Sequence, residues 1–263
     1  MPELPEVETI KREIEPFVVG RTIEGVEIKD HRNIKGISPE QFKNKLIGQK
    51  FKSLTRQAKY MLFELASGNY LTIHLGMTGR LLFEPDNYVK VIFNLSGKKD
   101  LYFSDARLFG KIRFFNEKPD LKLGPEPLQK EFTVEYFKNA LAKRNTAIKV
   151  LLLDQKLLAG VGNIYANEAL FRAGINPHRK ASSLSDIETK RLHKSIEEVL
   201  AEAIKYRGTS DSWYVDAKGE KGEFQLHLRV YGKKNKPCPK CGTIIKREAM
   251  GQRGTFFCEH CQK

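Results

Sequence analysis

Four cysteines are the residues whose types and spacing predict chemistry most directly. They form two C-x2-C pairs separated by sixteen residues, and the chain has no others: Cys238, Cys241, Cys258 and Cys261. Four thiolates at this spacing can close a tetrahedron around one Zn²⁺, at about 2.3 Å from the metal. Two disulfides are the alternative, which a cytosolic location disfavours. The spacing therefore predicts one structural zinc ion in a site that is closed to substrate.

Two further segments could bind phosphate. Between the cysteine pairs, KREAMGQRGTFF predicts two short strands with Gln252, Arg253 and Gly254 at their tip. Arg253 is there either a solvated turn arginine or a cation directed at phosphate. The turn AGVGN leads directly into the predicted helix IYANEALFRAG. Glycines allow close backbone approach and helix-start amides point outward, so Asn163 could donate to phosphate there. An ordinary packing corner is the alternative.

The opening stretch, MPELPEVET, is acidic for a chain with a formal charge of +14. It places Glu3, Glu6 and Glu8 close together and repeats a Pro-Glu pair. Proline in the first turn and apolar residues at i, i+3 and i+7 predict a helix over residues 5–15. Acidic side chains favour the positive end of a helix dipole, and this suffices to explain Glu8.

Composition indicates a folded protein with a polyanionic partner. The 263 residues can bury a sizeable core. Lys and Arg outnumber Asp and Glu by 46 to 32, with a sequence pI near 9.5. This charge favours nucleic acid first and an acidic membrane surface second. Apolar runs fall short of the roughly 20 residues of a membrane span, and the N-terminus does not resemble a signal peptide. We expect a cytoplasmic protein without a membrane partner.

The spacing of apolar residues predicts the elements that must position these side chains, and it differs between the two halves of the chain. In the first half, a capping box at Ser38 and Gln41 predicts a short helix that ends near Gly48. The segments after it alternate with period two, and turns at ASGN and at Ser96-Gly97 predict hairpins. The N-terminal half is therefore predicted to be an antiparallel sandwich or barrel.

From about residue 131 the period returns to 3.6. One helix is predicted behind Thr133, and another runs from a capping box at Ser185 and Glu188 to a stop before Gly208. The proline-rich stretch KPDLKLGPEPLQ separates the two regimes and is the predicted linker.

Taken together, the motifs resemble bacterial formamidopyrimidine-DNA glycosylases of the Fpg/Nei family. The matching segments follow the family's order along nearly the whole chain: PELPEVET, QAKY, HLGMTGR, DARLFG, LGPEPL, TAIK, GVGNIYANE and the zinc segment with QRGTFF. PELPE and LGPEPL favour the formamidopyrimidine branch over the endonuclease VIII branch, which usually opens with a PEGPE-type sequence.

The resemblance implies an α+β multidomain fold. An N-terminal antiparallel β-sandwich flanked by helices, the catalytic domain, would span residues 1–118, followed by a linker over 119–130. A helical DNA-binding domain with a helix–two-turn–helix motif would span 131–230, and a four-cysteine zinc-finger β-hairpin 231–263. Within the helical domain, the loop SDSWYVDAKGEKGEF (210–224) would cover a base extruded from DNA.

The resemblance also implies a catalytic set. Removal of Met1 would make Pro2 a secondary amine, and because an α-amino group titrates near 8, a useful fraction is uncharged at neutral pH. It could attack the sugar carbon that bears the damaged base. The resulting iminium would draw electrons and favour phosphate elimination. Glu3 would move protons, and Lys59 and Arg253 would donate protons in the first and second eliminations.

A base inside a duplex is out of reach of this amine, so the nucleotide must be flipped out. By the resemblance, Met77, Arg107 and Phe109 would fill the gap and engage the partner base, since Phe can wedge into a base step and Arg can read an acceptor edge. In isolation, Met77 and Phe109 would also suit a core near a sheet edge. Phosphate contacts are expected from three further residues: Arg144, Lys149 and Asn163.

One segment departs from the family pattern. The family often carries a His-x-His pair just before the strand VKVIF, and one of these histidines touches DNA. Here Asp86 and Tyr88 stand at the matching positions. Because Asp86 would repel a phosphate, we expect no such DNA contact.

The sequence thus predicts a monomeric, bifunctional DNA glycosylase and AP lyase of base excision repair with one structural Zn²⁺. It would remove 8-oxoguanine and formamidopyrimidines from double-stranded DNA through a Schiff base on Pro2. It would also act on abasic sites and cleave the backbone by β,δ-elimination. Two alternatives are a glycosylase for oxidised pyrimidines of the endonuclease VIII type and a zinc-dependent DNA-binding protein without catalysis.

Overall fold

The computed structural model describes residues 1–211 and 213–263, so that Ser212 of the predicted loop lies outside the described residues. The chain forms two compact units, and each consists of two stretches of sequence. The first unit is Met1–Leu121 with Tyr206–Gln225, and the second is Lys122–Lys205 with Leu226–Lys263.

Two α-helices and eight strands make up the described part of the first unit. In chain order they are α1 (Leu4–Val18), β1 (Ile23–Ile28), α2 (Pro39–Leu46), β2 (Phe51–Gln57), β3 (Tyr60–Leu65), β4 (Tyr70–His74), β5 (Gly79–Leu82), β6 (Val89–Leu95), β7 (Lys99–Asp105) and β8 (Lys111–Phe115). These strands form two antiparallel sheets, ordered β1-β6-β7-β5 and β2-β3-β4-β8.

A single cluster of buried apolar side chains joins the two sheets to α1. Its members include Val7, Ile10 and Ile14 of α1, Val91, Phe93 and Phe103 of the first sheet, and Phe63, Ile73 and Ile112 of the second. The prediction of an antiparallel β-sandwich flanked by helices is confirmed. Helix α1 runs three residues beyond its predicted end, through Pro16, because Val18 is buried in the same core.

The predicted caps and turns of the first unit are also present. The Gln41 backbone N–H donates to the Ser38 hydroxyl at 3.2 Å, at the start of α2. The β6–β7 hairpin turns at Ser96 and Gly97, as predicted. Strands β2 and β3 are joined by only two residues, Ala58 and Lys59, and Ala58 has a φ of 54°.

The second unit is helical, with a terminal hairpin. Its described elements are α3 (Val134–Ala142), α4 (Ile148–Leu151), α5 (Asn163–Ala173), α6 (Asp186–Lys205), β9 (Lys246–Met250) and β10 (Arg253–Phe257). Thr133 caps α3, and Ser185 and Glu188 form the predicted capping box of α6. Helix α5 begins directly behind the AGVGN turn. Along the described chain, no helix combines the length and apolar character needed to cross a membrane.

Candidate functional site

The first residues of the chain are packed rather than frayed. Pro2 is buried, and Glu3, at the N-cap of α1, is 2% exposed. The Glu6 carboxylate accepts hydrogen bonds from the backbone N–H of Glu3 and from that of Thr209, both at 2.7 Å. One carboxylate therefore caps α1 and also binds Tyr206–Gln225, which we call the return segment.

The return segment is fastened to α1 at further points. Glu13 bonds the Arg207 guanidinium at 3.0 Å and accepts from the Ala217 N–H at 2.9 Å. Burial raises the pKa of Glu13, as does the nearby charge of Asp216, against the opposing effect of these hydrogen bonds. Gly208 has a φ of +80°, and a Cβ there would meet Glu6 Oε1 at 2.7 Å. These bonds explain why residues 210–224, which the sequence places in the helical domain, pack in the first unit instead.

Lys59 lies in the two-residue turn between β2 and β3, and its side chain is 6% exposed. Arg56 braces this turn: its Nε donates to Glu8 Oε2 at 2.7 Å, and its Nη1 donates to the Ala58 carbonyl at 3.0 Å. Burial opposes ionisation of Glu8, but hydrogen bonds from Arg56 and Arg12 lower the Glu8 pKa overall. Glu8 is thus more than a helix-dipole residue, because it joins α1 to the turn that carries Lys59.

His74, at the end of β4, is a neighbour of Lys59 that the sequence analysis does not single out. Burial lowers the His74 pKa from 6.5 to about 4, and the charges of Lys59 and Lys111 add to the effect. His74 Nδ1 accepts a hydrogen bond from the Gly76 N–H at 3.1 Å. The imidazole is therefore neutral at physiological pH, and its place in the HLGMTGR motif is the only signal in the sequence.

The loops that carry Met77 and the Arg107–Phe109 pair lie side by side. Arg107 and Phe109 are exposed, with the guanidinium carbon 4.9 Å from the ring centroid, and Met77 is half-buried. A Cβ on Gly76 would meet the Phe109 carbonyl oxygen at 2.6 Å. Phe109 is therefore a surface aromatic, not a core residue.

A buried carboxylate, Asp105, organises both loops. Asp105 Oδ1 accepts from the Thr78 hydroxyl at 2.5 Å and from the Arg107 N–H at 3.3 Å. Asp105 Oδ2 accepts from the Gly110 N–H at 2.7 Å and from Asn33 Nδ2 at 2.8 Å. No local pattern in the sequence marks Asp105 as a positioning residue, although Asp105 opens the DARLFG motif.

In the second unit, Lys149 and Asn163 form a hydrogen-bonded chain. Lys149 has 0% exposure, and its Nζ donates to Asn163 Oδ1 at 2.7 Å. Asn163 Nδ2 then donates to the Gly254 carbonyl at 3.0 Å. Of the three predicted phosphate ligands, Arg144 is exposed, Asn163 is half-buried and Lys149 faces Asn163. The chain connects the start of α5 to the residue that follows Arg253.

Arg253 is exposed at the start of β10, where it pairs with Met250. The tip of the hairpin is Gly251 and Gln252, with φ values of 55° and 60°. The sequence predicts a tip at residues 252–254, which is one residue too far along. The difference arises because both tip residues need positive φ, a conformation suited to a two-residue turn.

The four cysteines come together in the second unit. Their Sγ atoms all lie within 4.8 Å of one another, with Cys238 and Cys261 at 3.9 Å and Cys241 and Cys258 at 3.5 Å. Bonded sulfurs would be about 2.05 Å apart, whereas tetrahedral Zn–S bonds of about 2.3 Å place sulfurs roughly 3.8 Å apart. The donor set therefore fits one structural zinc ion and not two disulfides.

Comparison with known proteins covers both units. The family model described as the formamidopyrimidine-DNA glycosylase N-terminal domain matches residues 1–112, the family's H2TH domain matches 123–214, and a zinc finger found in FPG and IleRS matches 235–263. The formamidopyrimidine-DNA glycosylase of Carboxydothermus hydrogenoformans is 46% identical over 268 residues, covering 100% of both chains.

Two solved structures show the same fold. The MutM (Fpg) protein of Thermus thermophilus is 40% identical, with a TM-score of 0.91 over 99% of this chain and 98% of that chain. A Lactococcus lactis Fpg mutant in complex with a Fapy-dG containing DNA is 34% identical, with a TM-score of 0.91 over 100% of both chains.

Proposed function

The chain belongs to the formamidopyrimidine-DNA glycosylase family, and we propose that it excises oxidised purines from double-stranded DNA and then cleaves the sugar–phosphate backbone. The substrates are 8-oxoguanine and formamidopyrimidine nucleotides, together with abasic sites. Chromosomal DNA as substrate implies that the enzyme acts in the bacterial cytoplasm, at the nucleoid.

The observation that supports this proposal most strongly is the bracing of Pro2, Glu3 and Lys59. All three are buried, and hydrogen bonds through Glu6 and through the Glu8–Arg56 pair hold the backbone next to them. A chain terminus is ordinarily mobile, so an ordered one requires a reason. A nucleophile at the chain end supplies that reason, because attack requires a fixed geometry.

In the proposed reaction, the Pro2 nitrogen attacks C1′ of the flipped nucleotide once Met1 has been removed. A C–N bond forms, the glycosidic bond breaks, and the base leaves with a proton. The C1′–O4′ bond of the sugar ring then opens, O4′ takes up a proton, and the nitrogen on C1′ becomes an iminium, which acidifies the C2′ hydrogen. Loss of that proton expels the 3′ phosphate, and a second elimination expels the 5′ phosphate. Glu3 relays protons, Lys59 protonates the first leaving phosphate, and Arg253 the second.

The DNA-binding residues act in two sets. In the first unit, Met77, Arg107 and Phe109 occupy the gap left by the flipped nucleotide, and the exposure of Arg107 and Phe109 suits them to this. In the second unit, Arg144 and Asn163 bind phosphates. Zinc, when bound, fixes the hairpin whose β10 strand begins with Arg253. A net charge of +14 supports a polyanionic substrate.

The proposal is tested by borohydride trapping on a duplex that contains a single 8-oxoguanine. A covalent protein–DNA adduct is expected, with intact mass confirming a sample that begins at Pro2. Pro2→Gly replaces the secondary amine with a primary amine, and we expect less adduct. A variant with a short N-terminal extension blocks the amine and should give none.

The alternatives give different outcomes in the same assay. The absence of any adduct would exclude catalysis by Pro2 and favour a DNA-binding protein without activity. Faster reaction on a thymine glycol duplex than on the 8-oxoguanine duplex would favour an oxidised-pyrimidine glycosylase. Arg253→Ala should accumulate the product of the first elimination at the expense of the second.

A further inference from the structure

The position that departs from the family pattern, Asp86, makes bonds within the first unit. Asp86 Oδ2 pairs with Arg80 Nη1 at 3.0 Å. Its Oδ1 accepts from the Tyr88 N–H at 2.8 Å and from the Ser104 hydroxyl. The side chains of Arg80 and Asp86 are only 19% and 25% exposed. The carboxylate therefore fixes the direction of the Arg80 guanidinium.

Arg80 in turn contacts Trp213, the only tryptophan of the chain. Arg80 Nε donates to the Trp213 carbonyl at 3.0 Å, and the guanidinium carbon lies 5.4 Å from the indole centroid. The Tyr88 ring meets the indole edge-on, with centroids 5.8 Å apart. Cations over aromatic faces and edge-to-face rings are both attractive. Arg80 thus holds the backbone and the indole of Trp213, and Tyr88 packs against the same indole.

The other anchors of the return segment lie on either side of Trp213. Thr209 is bound by Glu6, and Ala217 is bound by Glu13 and by the Phe83 N–H, which donates to its carbonyl at 3.0 Å. Each anchor is four residues from Trp213. The Arg80 contacts are therefore placed to set the path of the segment between two points that are already fastened.

We propose that Arg80, Asp86 and Tyr88 form a docking site for Trp213 that positions the return segment over an extruded base. These three are positioning residues, since they act through the segment. The inference rests on the proposed function in one respect, namely that residues 210–224 cover the flipped nucleotide. It also explains the departure from the His-x-His pattern. The Asp86 carboxylate orients Arg80 towards the return segment and does not contact DNA.

Docking is tested first in the free protein, because Trp213 is a unique fluorescent reporter. Arg80→Met and Asp86→Asn should shift tryptophan emission to longer wavelength and increase its quenching by acrylamide. Arg32→Ala is the matched control: this exposed arginine also pairs with an aspartate, Asp30, in the same unit. Its emission should equal that of the unaltered protein. Unchanged emission in Arg80→Met would overturn the docking site, whatever the enzyme does.

The positioning role is tested by single-turnover reactions on two duplexes. Loss of a charge-assisted hydrogen bond corresponds to roughly a tenfold change in an equilibrium constant. We therefore expect Arg80→Met to slow 8-oxoguanine excision about tenfold. Strand cleavage at a preformed abasic site, where there is no base to cover, should be unchanged. An equal loss on both duplexes would mean general damage and overturn positioning.

Failure of the proposed function is distinguishable from failure of this inference. If the unaltered protein excised no 8-oxoguanine, the proposed function would be wrong, while the fluorescence result would still decide whether Trp213 docks. If excision occurred but Arg80→Met reacted at the normal rate on both duplexes, the function would stand and the positioning role would be wrong.

Discussion

Thr78 donates a 2.5 Å hydrogen bond to the buried carboxylate of Asp105, and this bond joins the loop of Met77 to the loop of Arg107 and Phe109. Thr78 Oγ1 also accepts from the Arg107 N–H at 3.1 Å. One hydroxyl thus links both surfaces that we propose fill the gap in a duplex. Because the Thr78–Asp105 bond is buried, neither of its partners can exchange it for a bond to water without cost.

Thr78→Val should weaken this arrangement without changing side-chain shape. The variant removes the hydroxyl donor to Asp105 Oδ1 and leaves the Arg107 N–H with only its 3.3 Å bond to that oxygen, which costs about 1–3 kcal/mol of unfolding free energy. We expect 8-oxoguanine excision in duplex DNA to slow about tenfold, whereas cleavage of an abasic site in single-stranded DNA, which has no partner base to engage, stays unchanged. Thr78→Ser keeps the hydroxyl and should restore excision. Equal loss on both substrates would contradict the positioning role.

Lys149 and Arg144 should respond differently to salt. Arg144 is exposed, and removing one phosphate contact by Arg144→Ala should reduce the slope of log K against log salt by about 0.9. Lys149 is buried against Asn163, so Lys149→Met should weaken binding by releasing Asn163 and leave the slope near its original value. Fluorescence anisotropy at several salt concentrations measures both, on a duplex with a tetrahydrofuran abasic analogue that cannot form the Schiff base. A slope change of about 0.9 in Lys149→Met would instead indicate direct neutralisation of a phosphate.

Local signals in the sequence predicted the local structure well. Caps at Ser38, Thr133 and Ser185 mark real helix starts, since each depends on hydrogen bonds between residues only three positions apart. The zinc site was predictable for a similar reason, because cysteine spacing determines which sulfurs can meet. Helix α1 was predicted to end at residue 15, since local signals do not reveal that Val18 is buried in a core assembled from distant strands.

Long-range bonds were not predictable. Asn33 meets Asp105 across 72 residues, and Arg80 meets Trp213 across 133. Each pairing depends on the completed sandwich, and no spacing rule describes it. The same reason explains the different placement of the return segment, whose bond to Glu6 spans 203 residues. The catalytic roles of the site residues stay predictions. They came from the family resemblance more than from any local pattern in the sequence.

Zinc should be needed for the hairpin but not for the first unit. Cys241→Ser alters an exposed ligand and leaves the buried Cys238 and Cys258 packed among apolar side chains of the second unit, which are those of Phe171, Val230 and Ile245. We expect bound zinc to fall from one equivalent to none, and backbone amides of β9 and β10 to lose protection from hydrogen exchange. His260→Ala, between two ligands, is the control and should keep its zinc. Retained protection in metal-free protein would show that packing alone holds the hairpin.

The neutral His74 should make the first unit sensitive to acid. The His74 pKa is about 4 in the folded protein, against the ordinary value of 6.5 that applies to the unfolded chain. Between these two pH values the unfolded chain therefore binds more protons than the folded protein. The neutral His74 therefore contributes up to about 3 kcal/mol to the free energy of unfolding above pH 6.5, and this contribution is lost as the pH falls towards 4. His74→Asn retains an acceptor for the Gly76 N–H and should show a smaller loss. Denaturation followed by Trp213 emission at pH 7.5 and pH 4.5 measures the difference, with the exposed His31→Asn as control. Identical pH dependence in His74→Asn and the unaltered protein would contradict a buried, neutral imidazole.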